Sequence, residues 1–382
     1  MRQNLTRRSM LRKSAAGASA FALSAASARR VYGANEKVQL GWIGVGGRGT
    51  QLLTHLVNDT TGARMAAVCD LKQDAIDRGK KVAERDQPAG YVDFRKMMDS
   101  EKLDGILIAT EVCNHAEVVV PVLEAGYHTF AEKPMDSTVE KIDQITRAAR
   151  KAKGIYQIGT QRRYHPTYIS AIKAIHDGIA GPVMFMQGGW HWSYDPAHIP
   201  VDCDGGRLIE QSSHHMDIMA WVMKDQPPIR CVAMGFSHEG REPNKFSETH
   251  SATTFQWPGG QLFSYTHLWR LPGKYDEEIL KVFGEKGAVD LNAGKYYGRD
   301  EKTEDLGEAS GKAWNRGTVE ELQGFIDNVK TDGASTPNAN VETGRVCSLM
   351  CIMGRMAMVN KKKNSYEPTI VEWKDLGSTT DA

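Results

Sequence analysis

The chain has 382 residues, 25% of them charged and 41% hydrophobic, the make-up of a globular protein long enough for two domains. A formal net charge of +1, with no window that interleaves basic and aromatic residues, excludes a nucleic-acid-binding surface. Six cysteines without a C-x-x-C pair suggest neither a disulfide framework nor a structural zinc site, and no metal is expected.

Residues 1–34 read as a leader and linker. Thr6-Arg7-Arg8-Ser9-Met10-Leu11 is a twin-arginine core, residues 15–26 form a mild Ala/Ser-rich apolar stretch, and Ala26-Ser27-Ala28 offers a small-residue cleavage site. The stretch is too short to span a bilayer stably. The expectation is export to the periplasm, with no membrane insertion after the leader is removed. Cleavage removes five cationic side chains and leaves the mature chain at about −4.

Residues 38–43 then form an apolar, strand-like run that ends in Gly44, Gly46 and Gly49, the G-x-G-x-x-G spacing, and residues 50–57 continue as a helix with Leu52, Leu53 and Leu56 on one face. Gly44 permits a tight turn, Gly46 lets the backbone approach a pyrophosphate, and Gly49 lets helix and strand pack closely. A second apolar run, 63–70, ends in Asp70 at the distance where an acid accepts hydrogen bonds from an adenosine ribose. Asp70 would repel a 2′-phosphate, which favours NAD over NADP, although Arg48 and Lys72 stand nearby. Outside the cytoplasm no NAD pool is available for exchange, so an exported dinucleotide enzyme is expected to hold its cofactor tightly.

The alternation continues with a polar helix over 72–85, a strand over 103–109 ending in Thr110, a helix over 116–125, a strand over 127–131 and a helix over 139–151. Short loops between alternating strands and helices imply a doubly wound parallel sheet, whose ligand lies at the carboxyl ends of the strands. Three segments fall there: the glycines, residues 110–115 with Asn114 and His115, and Glu132-Lys133-Pro134. Lys133, held at a strand end in such a sheet, is suited to orient a substrate hydroxyl and help move its proton. For His115 a capping or packing role competes.

In order, Gly44-Val45-Gly46-Gly47-Arg48-Gly49, Asp70, Asn114-His115 and Glu132-Lys133-Pro134 resemble the Gfo/Idh/MocA oxidoreductases, named for glucose–fructose oxidoreductase, inositol dehydrogenase and a rhizopine-catabolism protein. The resemblance runs from about residue 37 to the last helix. It implies that Glu132 contacts the nicotinamide ribose and that Lys133 is catalytic. The cofactor set is then Gly44, Gly46, Gly47, Arg48, Gly49, Asp70, Thr110, Asn114, His115, Glu132 and Lys133, with NAD as the cofactor.

From residue 155 the pattern changes. A strand over 155–159 leads into Arg162 and Arg163, a helix covers 165–177, and longer alternating strands follow at 183–192, 229–235, 252–257, 261–269 and 278–284, before a last helix at about 343–360. The expected fold is α/β: a Rossmann sheet in domain 35–155, then an α+β domain, 156–382, with an open-faced, mostly antiparallel sheet. That open face suggests a homodimer or homotetramer. Glu210, His214, Asp217 and Trp221 recur at helical spacing, which puts them on one face of one helix. The resemblance implies a catalytic His214 with an acid one turn earlier. Here that acid is Glu210, where the sugar dehydrogenases usually carry Asp. Residues 189–202 read as a loop over the pocket, in which Trp190 could stack on a sugar ring and His191 could hydrogen-bond it; an aromatic loop at a subunit interface is the competing reading. The substrate set is Arg163, Trp190, His191, Glu210 and His214. The expected activity is oxidation or reduction of a secondary alcohol of a sugar, glycoside or polyol. The alternative, also implied by the resemblance, is a redox-neutral NAD-dependent glycoside hydrolase or lyase, with Tyr194, His191 or Asp195 as a further acid/base.

Overall fold

The first half of the chain alternates as β1 (Val38–Ile43), α1 (Gly47–Asp59), β2 (Ala63–Cys69), α2 (Gln73–Val82), β3 (Ala89–Tyr91), α3 (Phe94–Ser100), β4 (Gly105–Ile108), α4 (His115–Glu124), β5 (His128–Glu132), α5 (Val139–Lys151) and β6 (Tyr156–Gly159). The computed structural model describes residues 36–194, 201–240, 242–308 and 317–379; the expected leader and linker, and residues 195–200 of the expected loop with Asp195, lie outside the described residues.

The six strands pair in parallel in the order β3-β2-β1-β4-β5-β6. This is the doubly wound arrangement expected from the sequence. It switches direction between β1 and β4, so the carboxyl ends of β1, β4 and β5 open onto one crevice. The strands are buried on both faces, with Leu40, Trp42, Leu107 and Phe130 wholly covered. Helix α1 lays Leu52, Leu53, Leu56 and Val57 against them. Burying each of these side chains contributes about 1.5–3 kcal/mol, more than helix propensity supplies over three turns. The strand expected to open the second domain, Tyr156–Gly159, instead completes this sheet, with Glu132 registered against Gly159.

The second half contains α6 (Pro166–His176), β7 (Val183–His191), α7 (Val201–Asp204), α8 (Arg207–Glu210), α9 (Ser213–Val222), β8 (Arg230–Phe236), β9 (His250–Gln256), β10 (Leu262–Leu268), β11 (Glu277–Gly284), β12 (Gly287–Asp290), β13 (Lys295–Gly298), β14 (Thr303–Asp305), α10 (Thr318–Lys330), α11 (Val341–Met358), β15 (Val359–Asn360), β16 (Ser365–Tyr366) and β17 (Ile370–Glu372). Nine strands form one sheet in the order β14-β13-β12-β11-β7-β10-β9-β8-β17, antiparallel except for the parallel pair β7–β10. Its covered face carries Met186, Trp190, Phe263, Tyr265 and Leu280, which join α9 and α11 in the core. Its other face leaves Val232, Met234 and Phe236 of β8 exposed. Helix α10 returns to the first sheet, where Phe325 meets Phe130 edge-on with ring centroids 6.0 Å apart. Among the described residues no helix is long and apolar enough to cross a membrane.

One expectation is overturned. Cys113, in the turn between β4 and α4, is disulfide-bonded to Cys203 of α7, with Cα atoms 4.8 Å apart. The two lie 90 residues apart in sequence, a spacing that carries no local signal. Cys69, Cys231, Cys347 and Cys351 are buried and free. The bond closes a long loop and joins the nucleotide-side wall of the crevice to the substrate-side wall. Cys113→Ser is expected to lower stability by about 2–4 kcal/mol, chiefly through the larger freedom of the unfolded chain. Denaturant midpoints with and without a dithiol reductant check this; a wild-type midpoint indifferent to the reductant would count against the bond.

Candidate active site

The nucleotide side is built at the carboxyl ends of β1, β2, β4 and β5. Gly44 has φ +90°, and a Cβ there would lie 2.5 Å from the Ala109 carbonyl oxygen; a Cβ on Gly49 would lie 2.1 Å from the Gly44 carbonyl oxygen. Any side chain at either position would force β1, α1 and the β4 end apart. At Gly46 and Gly47 a Cβ would meet nothing within 4 Å, so the backbone at the start of α1 is bare. A bare helix N-terminus with unpaired N–H groups suits a pyrophosphate. Asp70 stands at the end of β2, held by N–H donation from Val45 (2.8 Å) and Lys72 (3.0 Å). These residues fit an NAD adenosine and pyrophosphate. Asn114 is exposed at the start of α4, and Thr110 lies half-buried at the end of β4. His115 is only 1% exposed, its Nδ1 2.9 Å from the Pro134 carbonyl oxygen and its Nε2 3.2 Å from that of Thr110. It braces the loops after β4 and β5 against each other, which is the competing packing reading.

At the end of β5, the Glu132 carboxylate is paired with Arg48 Nε at 2.8 Å and accepts the Lys133 N–H at 2.9 Å. Lys133 sends its ammonium across the crevice to α8. It donates to the Glu210 carbonyl oxygen at 2.9 Å and to Glu210 Oε1 at 3.2 Å. Arg207 Nη1 donates to the other carboxylate oxygen of Glu210 at 2.9 Å. Burial alone would lift the Glu210 carboxyl, but Lys133 and Arg207 hold it below the ordinary carboxylate value. Glu210 is thus an ionised clamp that fixes the Lys133 ammonium.

His214 lies in the first turn of α9. Its ring stacks on Trp190 with centroids 5.8 Å apart and planes 17° apart, and its buried Nδ1 has no hydrogen-bond partner among the described residues. Burial pushes the imidazole well below its usual value, and Lys133, Arg162 and Arg48 push the same way. The ring is therefore held in its neutral form, the form a general base needs. Because the folded value lies below the unfolded value of about 6.5, the His214 contribution to stability is full above that pH. It fades below, where the unfolded chain takes up a proton the native site refuses. The acid limb of kcat/KM is expected below pH 6.5. An acid limb at or above 6.5 would show that His214 is not desolvated.

Three expected placements differ. Glu210 and His214 do not share one helix, because the backbone turns at Gln211–Ser212 between α8 and α9; both still reach the Lys133 side. Arg163 is 2% exposed and lies outside the crevice. Its Nε pairs with Asp217 at 2.7 Å and its Nη2 with Asp225 at 2.6 Å. Asp217 is thereby accounted for as a structural partner, and Trp221 lies under the same guanidinium at 5.2 Å. Residues 189–191 belong to β7, as the strand expected over 183–192 has it and the overlapping loop reading does not. Strand alternation therefore sends Trp190 to the covered face and His191 to the open one, where His191 Nε2 lies 2.8 Å from Thr266 Oγ1. Trp190 is only 2% exposed and backs the His214 ring.

Two residues were not anticipated. Arg162 reaches Glu278 with Nη2 at 3.0 Å, lies 5.7 Å from the Trp190 ring and leaves its buried Nη1 without a partner among the described residues. It is therefore Arg162, and not Arg163, that faces His214. Arg207 was legible as an i,i+3 partner of Glu210.

Residues 38–160 match the family described as "Oxidoreductase family, NAD-binding Rossmann fold", and residues 168–290 match the GFO/IDH/MocA C-terminal domain. An inositol 2-dehydrogenase/D-chiro-inositol 3-dehydrogenase of Halalkalibacterium halodurans is 26% identical over 311 residues, covering 79% of this chain and 86% of that relative. A myo-inositol 2-dehydrogenase of Thermotoga maritima is 24% identical over 350 residues, covering 87% of this chain and all of that relative. The structure of myo-inositol dehydrogenase from Lactobacillus casei in complex with NAD(H) and myo-inositol superposes with a TM-score of 0.70 at 20% identity, over 88% of this chain and 97% of that one, and shows that the fold is shared. The chain is an NAD-binding member of the Gfo/Idh/MocA oxidoreductase family.

Proposed function

We propose that this protein oxidises a ring CH–OH of a cyclic polyol or sugar. The reading is carried by one observation: Lys133, clamped by Glu210 at 2.9 and 3.2 Å, shares the crevice wall with a neutral His214. Bound NAD supplies the hydride-accepting chemistry. The Lys133 ammonium holds the substrate oxygen and stabilises negative charge growing on it. His214 accepts the hydroxyl proton, and Trp190 keeps its ring oriented. Glu210 keeps Lys133 in place and, being ionised, offers an acceptor to a neighbouring hydroxyl. The names of the inositol dehydrogenase relatives support a cyclic polyol as the first substrate class to test.

Export by the twin-arginine route and retention of the cofactor through turnover belong to the same reading. A disulfide between Cys113 and Cys203 suits an oxidising compartment. The apolar outer face of β8 favours self-association into a dimer or tetramer. Asp70 favours NAD over NADP, so Asp70→Ser is expected to improve NADP binding relative to NAD on the order of tenfold by removing a like charge. Equilibrium titration with both dinucleotides measures it.

The test is to release and identify the ligand from protein purified without added cofactor. Absorbance at the reduced-nicotinamide band is then followed with a panel of inositols, sugars and glycosides. Growth of the band with a polyol supports the reading. Bound NAD, no net band change and a cleaved glycoside would replace it with the redox-neutral hydrolase.

A further inference from the structure

Glu321, on α10, lies outside the machinery described so far, yet it faces that machinery. Phe325, one turn further along α10, touches Phe130 of β5, and Glu132 lies two residues beyond Phe130 on the same face of that strand. Asp332, just past α10, pairs with His128 at the start of β5, so the helix runs antiparallel to the strand; four helix residues rise about 6 Å and two strand residues about 6.6 Å, which sets Glu321 level with Glu132. A second contact gives the same placement. Gln157 of β6, two residues before Gly159, donates from Nε2 to the Glu321 carbonyl oxygen at 3.0 Å, and a Cβ on Gly159 would touch Glu132 Oε2 at 3.1 Å.

The Glu321 side chain is 0% exposed, and neither carboxyl oxygen has a hydrogen-bond partner among the described residues. Burial, reinforced by the charge on Glu132, holds the group well above the usual carboxylate range. It is a neutral acid with one O–H donor unspent. Such a group costs stability that a leucine in its place would not. The charged groups around it are the Arg48–Glu132 pair and Asp217, and Arg48 stands in the first turn of α1, where a dinucleotide's phosphates are received.

We propose that Glu321 is a positioning residue for Glu132, becoming the hydrogen-bond donor to the Glu132 carboxylate when the bound dinucleotide draws on Arg48. An acid-to-carboxylate hydrogen bond is among the strong ones. It keeps Glu132 aimed at the crevice while Arg48 turns to the phosphates. The inference rests on the reading that Glu132 contacts the cofactor.

The test measures NAD affinity by titration on protein freed of its cofactor, together with the melting temperature of that apoprotein. Glu321→Gln, which keeps a donor, is expected to leave affinity at the wild-type level. Glu321→Leu is expected to weaken it about tenfold while the apoprotein melts no lower than wild type, a split that a structural role does not produce. If leucine does not fold, Glu321→Met takes its place with the same readouts. Wild-type affinity in the apolar variant, or equal losses in the glutamine and apolar variants, would overturn the proposal. Glu132→Ala separates the two claims. If it leaves NAD affinity unchanged, the reading of Glu132 falls and this inference with it. If it weakens NAD while Glu321→Leu does not, only this inference falls.

Discussion

Lys133→Met is expected to lower kcat by about 10²–10⁴-fold while NAD binding stays close to wild type. The side chain is 9% exposed and spans the crevice to the Glu210 carbonyl and carboxylate, so its ammonium is fixed before substrate arrives. A fixed cation stabilises charge that grows on the substrate oxygen during oxidation without first reorganising water around it. Methionine keeps most of the length and removes that charge. The phosphate-receiving turn of α1 and the Asp70 end of β2 lie at other strand ends, which is why cofactor affinity is spared. His214→Asn is expected to give a loss of similar size through a different step, the acceptance of the hydroxyl proton. Because both residues serve one transfer, the double variant is expected to lose little more than the worse single one. Steady-state kinetics with the best polyol, beside a dinucleotide titration, measure all three. Full turnover in both single variants would remove the assignment.

Some of this site was legible in the chain and some was not, for physical reasons. The glycines and Glu132-Lys133-Pro134 are local devices, in which turn geometry, close approach and the strand end are specified within a few residues. The neighbours Arg162 and Arg163 show the limit. They leave β6 in a short 3-10 turn, and nothing in their identity says which one turns toward His214 and which toward Asp217. The strand over 183–192 and the loop over 189–202 overlap at residues 189–191, and only the strand keeps the parity that separates His191 from Trp190. The Cys113–Cys203 bond depends on two turns brought together by the whole fold. Glu321 was more accessible. Leu322, Phe325, Ile326 and Val329 follow helical spacing and are all buried against the first sheet. An acid adjoining that stripe is a signal that the segment is worth reading.

Arg163→Met is expected to cost about 3–5 kcal/mol of folding stability, the scale for breaking a buried ion pair from one side. The guanidinium is 2% exposed and Asp217 1% exposed, with Asp225 on its other edge at 2.6 Å. Burial lifts Asp217 to about 6 even with Arg163 beside it, so losing the cation makes the ionised form still harder to keep. Buried Asp217 and partly exposed Asp225 then lose the guanidinium they share, between the turn after β6 and the body of α9. A substrate contact at Arg163 would behave in the opposite way, raising KM and leaving the denaturant midpoint alone. The double variant Arg163→Met/Asp217→Leu sharpens the distinction, since replacing both partners by apolar groups removes the uncompensated charge and is expected to recover much of the loss. Because α9 also carries His214, the single variant is expected to lose activity in step with its folded fraction, while the molecules that remain folded keep the wild-type KM. A raised KM at full stability would return Arg163 to the substrate set.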